Sequence, residues 1–290
     1  MARERGTRAG RGAEWLKRPV AATGRHDAVA ELLRELRLST VCRSARCPNR
    51  GECYSAGTAT FLVLGEACTR DCRFCAVSPG APEPADATEP GRVAEAARRL
   101  GLGHVVITMV TRDDLPDGGA DHVAAVVREV RAVLPDATVE VLVSDLGGDL
   151  AAVRGVASAG PDVFNHNVET VPRLYATVRP RADYARSLRM LETARDAAPG
   201  TPTKSGLMLG LGERPEEVLG VMRDLRKAGV TILTLGQYLR PSARHLPVAR
   251  FVPPGEFAAH AEAARELGFA AVASAPYVRS SYRAERLLAD

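Results

Sequence analysis

The sequence predicts an α/β protein: a partial (β/α)6 TIM-type barrel at 58–270, preceded by a cysteine-rich N-terminal extension at 1–57 and followed by a C-terminal extension at 271–290. Strand-sized apolar runs alternate with helix-period segments from Thr60 to Leu267, the pattern of parallel strands joined by right-handed crossovers. Each run ends in polar or glycine residues. A barrel gathers all such carboxyl-end loops at one mouth, whereas a doubly wound sheet uses only those at its switch point. The length of 290 residues, with 46% hydrophobic and 26% charged, suits one large domain with a sizeable core.

Taken in order, Arg25 to Leu38 places Val29, Leu32, Leu33 and Leu36 on one helical face. The following VCRSARCPNRGEC carries Pro48, Asn49 and Gly51, turn residues that predict an irregular loop. Thr60 to Gly65 is β-branched and apolar, and predicts the first strand. Helices are then predicted at Val93–Leu100, Ala120–Leu134, Leu150–Ser158, Ala182–Ala197, Glu216–Ala228 and Glu256–Leu267. The strands between them are His104–Val110, Thr138–Leu146, Asp162–Thr170, Lys204–Gly212 and Ile232–Leu239, which makes six strands in all.

The formal net charge is +4, much of it from the arginines of the opening MARERGTRAGRGAEWLKR, read as a flexible, solvated tail. It has no apolar stretch of signal-peptide length, and Glu4 and Glu14 interrupt the acid-poor pattern of a mitochondrial presequence, so a cytoplasmic protein is expected. With 4% aromatic residues and no binding motif, no nucleic-acid partner is expected. The longest apolar runs, such as Val105 to Val110, are strand-sized, so no membrane partner is expected either.

All six cysteines fall between Cys42 and Cys75, as the triplets Cys42, Cys47, Cys53 and Cys68, Cys72, Cys75. In a chain of this length without an export signal, such crowding points to reduced, metal-binding thiols. CTRDCRFC spaces three thiols four and then three residues apart. A single loop can wrap three corners of a four-iron cubane this way, leaving one iron open, because a full set would need four thiolates. A structural zinc site wants a second CxxC or a histidine pair, and a thioredoxin-type pair has no use for a third cysteine. The first triplet, spaced five and then six, matches no common zinc finger and is one ligand short.

Further polar segments sit where strands end. RDDLPDGGADH (Arg112–His122) crowds charges at the expected mouth, with Asp121 and the glycines equally able to cap and turn. In DVFNHNVET, strand alternation puts Asn165, Asn167 and Glu169 on one side and His166 and Val168 on the other. Three inward polar groups need a polar partner, since each left unpaired costs about 1–3 kcal/mol; His166 reads as a hydrogen-bonded core histidine. Lys204, Gly206, Gly210 and Gly212 of TKSGLMLGLGE allow close backbone approach to something in the lumen, or tight packing. GQYLRPSARHLPV reads as a lid or substrate loop with Arg240, Arg244 and His245 in solvent, and PYVRSSYRA puts two serines and two arginines in the C-terminal extension.

The CTRDCRFC loop, with Phe74 before its third cysteine, resembles that of radical S-adenosylmethionine enzymes. With the first triplet, RDDLPDGG, FNHNVET, TKSGLMLGLGE, GQYLRPSARHLPV and RSSY, the chain from about Glu14 to Ala284 resembles the lipoyl synthase family. The resemblance implies a sulfurtransferase with two 4Fe-4S clusters and S-adenosylmethionine. It replaces hydrogens with sulfur at the sixth and eighth carbons of an octanoyl chain held on a carrier-protein lysine. The cluster on Cys68, Cys72 and Cys75 would cleave S-adenosylmethionine to a 5'-deoxyadenosyl radical, and that on Cys42, Cys47 and Cys53 would give up its sulfurs. The implied carriers are 2-oxo acid dehydrogenase acyltransferase subunits and the glycine cleavage H protein, with ferredoxin or flavodoxin as electron donor. Ser281 is implied as the missing fourth ligand; the residues alone leave Ser280 equally open. A serinate is a harder ligand than a thiolate and suits a site that must come apart. Asn167, Glu169, Arg179 and Lys204, by their place at strand ends, are expected on the S-adenosylmethionine and substrate side, with Phe74 near the adenine. The chain departs from the family's usual pattern at Arg43, Ser44, Tyr54, Thr111 and Ala275.

Overall fold

The structure, a computed structural model, describes residues 14–16 and 24–288. Apart from a short turn at Glu14–Leu16, the basic tail lies outside the described residues. The predicted first helix is α1 (Gly24–Glu35), which buries Val29, Leu32 and Leu33. The expected irregular loop after it instead holds β1 (Ser39–Thr40) and two short helices, α2 (Val41–Ser44) and α3 (Arg50–Ser55). Pro48 and Asn49 fall between these helices, so they separate two turns of helix rather than preventing both.

The barrel begins with β2 (Thr60–Val63) and a small excursion, β3 (Ala67–Cys68) paired with β4 (Ser78–Pro79). Then follow α4 (Glu89–Leu100), β5 (His104–Met109), α5 (Ala120–Val133), β6 (Thr138–Leu142), α6 (Leu150–Ser158) and β7 (Val163–Asn165). The remainder is α7 (Tyr175–Val178), α8 (Tyr184–Ala197), β8 (Thr203–Leu209), α9 (Pro215–Lys227), β9 (Ile232–Gln237), α10 (Pro254–Glu266) and β10 (Ala271–Ser274). Local chemistry sets the helix starts: Asp149 accepts from the Ala151 and Ala152 amides ahead of α6, and Asp183 accepts from the Arg186 amide ahead of α8. Pro215 opens α9, where a missing amide proton costs nothing.

Among the described residues the main sheet runs β1-β2-β5-β6-β7-β8-β9-β10. All neighbours are parallel except β1 on β2, and β1 and β10 do not meet, so the barrel is open. It has two strands beyond the six expected, the antiparallel β1 and the parallel β10, which lies in the segment read as a C-terminal extension. Four residues of Ala-Val-Ala-Ser carry too little β signal to stand out in the sequence. Two predicted strands end early. β6 stops at Leu142, after which Asp145 accepts from the Gly147 amide and turns the chain. β7 stops at Asn165, and Glu169, at φ 65, breaks the alternation and keeps only a bridge to Leu207.

Helices α4, α5 and α6 cover one half of the outer face, burying Val93, Val126 and Val153 against Val105 and Val139. Helices α9 and α10 cover the other half through Val221, Leu225 and Phe257 against Leu233 and Leu235. With helices outside and apolar strand residues beneath them, the polar carboxyl ends are left to shape one mouth.

Candidate active site

A cavity of about 460 Å³ opens inside the carboxyl ends of the strands. Five of the six cysteines line it: Cys42 and Cys47 from one side, Cys68, Cys72 and Cys75 from the other. Phe74, Asn167, Glu169, Arg179 and Ser281 line it too. Cys53 is off the lining but close to its partners: burial first, then the charges of Cys42 and Cys47, pushes its thiol up to about 12. Burial likewise raises Cys42 and Cys72, and takes Cys75 to about 12. Such thiols stay protonated near neutral pH unless a metal replaces the proton. Among the described residues, no three Cys, His, Asp or Glu side chains converge as a single metal ion requires. Two separated sets of three thiols around one cavity fit a pair of larger clusters, each with one corner not held by sulfur.

The Cys68–Cys75 loop is closed on itself and clamped to the barrel. The Gly80 amide donates to the Cys68 carbonyl at 2.9 Å, and the Cys75 amide to the Cys72 carbonyl at 2.9 Å. The Arg70 amide lies 3.4 Å from Cys68 Sγ, while its guanidinium, 6% exposed, bridges Asp113 and Asp145 at 2.6 Å each. Asp145 is fully buried, and Arg70 and Arg186 hold its carboxyl below the usual range in spite of that burial. Asp113 and Asp145 follow β5 and β6, so one arginine ties the thiol loop to two strand ends.

The other triplet depends on the far end of the chain. Asn49, buried between α2 and α3, donates from Nδ2 to the Tyr277 carbonyl at 2.8 Å. The Tyr282 hydroxyl and the Arg283 guanidinium both donate to Glu52 Oε1, at 2.7 and 2.6 Å. Between these staples the tail crosses the mouth. The Ser280 hydroxyl donates to Asn167 Oδ1 at 2.9 Å and its carbonyl accepts from Lys204 Nζ at 2.7 Å. Ser281 lines the cavity and makes no hydrogen bond among the described residues. Ser280 and Ser281 both line the cavity, and Ser280 is the one whose hydroxyl and carbonyl are already engaged. Gly206 makes this possible, since a Cβ there would lie 2.9 Å from Asn167 Oδ1 and 3.1 Å from Ser280 Oγ.

Of the other expected site residues, Asn167 Nδ2 donates to Glu169 Oε1 at 3.1 Å, and Arg179 donates to the Asn167 and Val168 carbonyls. Arg179 Nε is buried without a partner among the described residues, beside Cys72, which suits an additional ligand there. Burial raises the Glu169 carboxyl, opposed by Arg179, Asn167 and Arg279. Its φ of 65 is left-handed, a backbone conformation that costs a non-glycine residue energy. Lys204 is a correction: it is fully buried and is not part of the lining. Its Nζ contacts both Glu140 oxygens at 2.9 Å as well as the Ser280 carbonyl, so it supports the floor. Asn165 joins that layer by donating to Glu140 Oε1 at 2.9 Å rather than facing the cavity with Asn167.

His166 is the expected core histidine, donating from Nδ1 to the Val143 carbonyl at 2.9 Å with Nε2 3.0 Å from the Ser187 hydroxyl. Burial lowers it to about 4. The RDDLPDGG charges contact the chain itself: Arg112 pairs with Asp114, and Asp117, not Asp121, accepts from the amides that open α5. His245, expected in solvent, contacts the Cys75 carbonyl at 2.9 Å, and the Leu246 amide donates to the Arg73 carbonyl. The Arg46 guanidinium reaches the Pro241 carbonyl at 3.4 Å, so the loop after β9 touches both triplet segments. These contacts, and the staples at Asn49 and Glu52, went unseen in the sequence. Their only trace there is an unusually polar C-terminal segment.

The radical SAM superfamily model matches residues 62–236. The chain is 56% identical to the lipoyl synthase of Caldanaerobacter subterraneus subsp. tengcongensis, over 94% of this chain and 95% of that one. The chain belongs to the lipoyl synthase family. A lipoyl synthase of Thermus thermophilus is 53% identical, over 95% of this chain and 86% of that one. Among solved structures, HydG, a hydrogenase maturase, superposes with a TM-score of 0.57 at 14% identity, covering 85% of this chain and 61% of that one, which supports the barrel fold. For a lipoyl synthase, the departures Arg43 and Tyr54 are locally compensated: Arg43 pairs with Glu66 at 2.6 Å, and the Tyr54 hydroxyl meets Thr40 Oγ1 at 2.7 Å.

Proposed function

We propose that this chain is a lipoyl synthase, a radical S-adenosylmethionine sulfurtransferase acting on a protein-bound octanoyl group. The observation that carries the reading is the single cavity lined by five cysteines drawn from both triplets and by Ser280 and Ser281. Cys68, Cys72 and Cys75 would hold one 4Fe-4S cluster; Cys42, Cys47, Cys53 and Ser281 would hold the other. When bound, the first supplies the electron that cleaves S-adenosylmethionine and the second supplies two sulfurs for the sixth and eighth carbons of the chain.

The protein's own part is to bind, orient and exclude water. Phe74 offers an aromatic face for the adenine, and Asn167, Glu169 and Arg179 offer polar partners for the rest of S-adenosylmethionine. Met109, Val110, Leu142, Leu207 and Leu239 give the cavity an apolar wall for an eight-carbon chain. A dry, enclosed site keeps a carbon radical from side reactions with solvent. Lys204 supports Ser280 from below, and thereby the set of the tail.

The reading divides the chain into an N-terminal extension to residue 57 that carries the second site, the barrel, and the C-terminal segment that brings Ser281. Its finer parts are octanoylated acyltransferase subunits of 2-oxo acid dehydrogenases and the glycine cleavage H protein as carriers, and ferredoxin or flavodoxin as reductant. A cytoplasmic location follows from those partners; among the described residues no helix is long and apolar enough to cross a membrane. To test it, protein reconstituted with iron and sulfide is incubated with an octanoylated carrier peptide, S-adenosylmethionine and dithionite. Lipoyl peptide is expected. 5'-Deoxyadenosine without sulfur transfer would mean that the second cluster only carries electrons, and neither product would leave an iron-sulfur carrier.

A further inference from the structure

Arg279 is a half-buried arginine in the cavity lining that pairs with no carboxylate among the described residues. Its Nη1 donates to the Val278 carbonyl at 2.6 Å and lies 3.4 Å from the Pro276 carbonyl, so the tail's own backbone fixes the guanidinium. It lines the cavity together with Cys42, Cys47 and Ser281 and forms no ion pair among the described residues; burial lowers its pKa, opposed by Cys47 and then Glu169. Strand β9 is shaped to admit it: a Cβ on Gly236 would lie 2.1 Å from the Val278 carbonyl and 3.0 Å from Arg279 Nη1. The other cations of the lining are placed differently. Arg179 lies beside Cys72, of the other triplet, Arg70 is neutralised by Asp113 and Asp145, and Arg46 and Arg240 are exposed, where water screens them.

A fixed positive charge in a partly enclosed site acts on whatever negative charge is nearest. Three thiolates and a serinate around a cubane carry more negative charge than the cube's positive core offsets, and adding an electron increases the excess. Net charge and nearby hydrogen-bond donors are among the factors that set the potential of such clusters.

We propose that Arg279 is the counter-cation of the Cys42, Cys47, Cys53 site, a positioning residue whose charge stabilises the thiolate set and raises the reduction potential of the cluster held there. The inference rests on the two-cluster reading above. It explains why an arginine immediately precedes the paired serines: the segment that brings the Ser281 hydroxyl brings compensating charge with it.

The test uses the full chain with Cys68, Cys72 and Cys75 replaced by alanine, so that one cluster alone is reconstituted, with and without R279Q or R279K. Iron content and an EPR-monitored redox titration are the readouts, with S-adenosylmethionine binding measured on the otherwise unaltered chain. R279Q is expected to shift the cluster to a more negative potential, R279K to stay close to the parent, and S-adenosylmethionine affinity to change less than twofold in both. If R279Q loses the cluster while R279K keeps it, the requirement for charge stands. An unshifted potential in R279Q, an equal shift or loss in R279K, or weakened S-adenosylmethionine binding without a shift would each overturn the proposal. A parent chain that takes up no second cluster would instead refute the two-cluster reading itself.

Discussion

The two cysteine triplets face each other across one cavity but are held in opposite ways. Cys68, Cys72 and Cys75 sit in a loop closed by its own backbone and pinned by Arg70 to Asp113 and Asp145 of the barrel's first strand-helix units, with His245 and Leu246 adding contacts from the loop after β9. Cys42 and Cys53 sit on two short helices and Cys47 on the turn between them, and this segment is stapled from the other end of the chain, with Asn49 meeting a carbonyl 228 residues away. The difference matches the proposed tasks. A cluster that is reused at every turnover gains from a rigid seat, whereas one that yields its sulfur needs ligands on an element that can yield. The tail meets the segment of the second triplet directly, at Asn49 and Glu52.

The sharpest way to break this comparison is to remove one thiol from each site. Cys72→Ala is expected to abolish 5'-deoxyadenosine and lipoyl product together, whereas Cys47→Ala should keep 5'-deoxyadenosine and abolish lipoyl product, as read by chromatography and mass spectrometry. Equal loss of 5'-deoxyadenosine in both would mean that the sites are not separable.

Next in size is the layer beneath both sites. Lys204→Met leaves the fully buried Glu140 carboxylate with its lysine gone, which costs about 3–5 kcal/mol. Denaturant unfolding should show the whole barrel weakened, and the Ser281 side with it. A midpoint close to that of the parent would mean the pair is not a support.

Acid should act through His166, which is neutral in the fold with its pKa lowered from 6.5 to about 4. The unfolded chain binds a proton between those values that the folded chain does not, so stability is fully present above about pH 6.5 and falls as pH drops toward 4. The full loss is about 3 kcal/mol. In His166→Gln, the slope of unfolding free energy against pH in that window should flatten; an unchanged slope would assign it to other groups.

The smallest effect is also the most local. Asn49→Ala removes one staple, the Nδ2 hydrogen bond to the Tyr277 carbonyl, a cost of about 1 kcal/mol. Iron should be lost from the second site faster under a chelator, with the first site unaffected. Faster loss from both would contradict the division of labour.

Much of this organisation is legible in the sequence because it is local. The helix-strand rhythm, the two triplets and the polar strand ends are read from neighbours in the chain, and α6 falls where its apolar period and Asp149 place it. What escapes is non-local. Lys204 reads as a lumen residue until Glu140, on another strand, is seen to take its charge. His245 reads as solvated until the chain brings it onto Cys75. Strict alternation sends Asn165 into the cavity, but the strand ends there and Glu169 turns left-handed, so only the later polar residues reach the lining. The seventh parallel strand, only four residues long, borrows its order from β9 rather than from its own composition.

The account turns on the second triplet as the source of sulfur, and isotopic labelling tests that directly. Protein reconstituted with heavy-isotope sulfide is carried through a single turnover with an octanoylated carrier peptide, and the lipoyl product is weighed by mass spectrometry. Both sulfurs in the product should carry the label, and Cys47→Ala should give none. Product with unlabelled sulfur, or labelled product from Cys47→Ala, would contradict it.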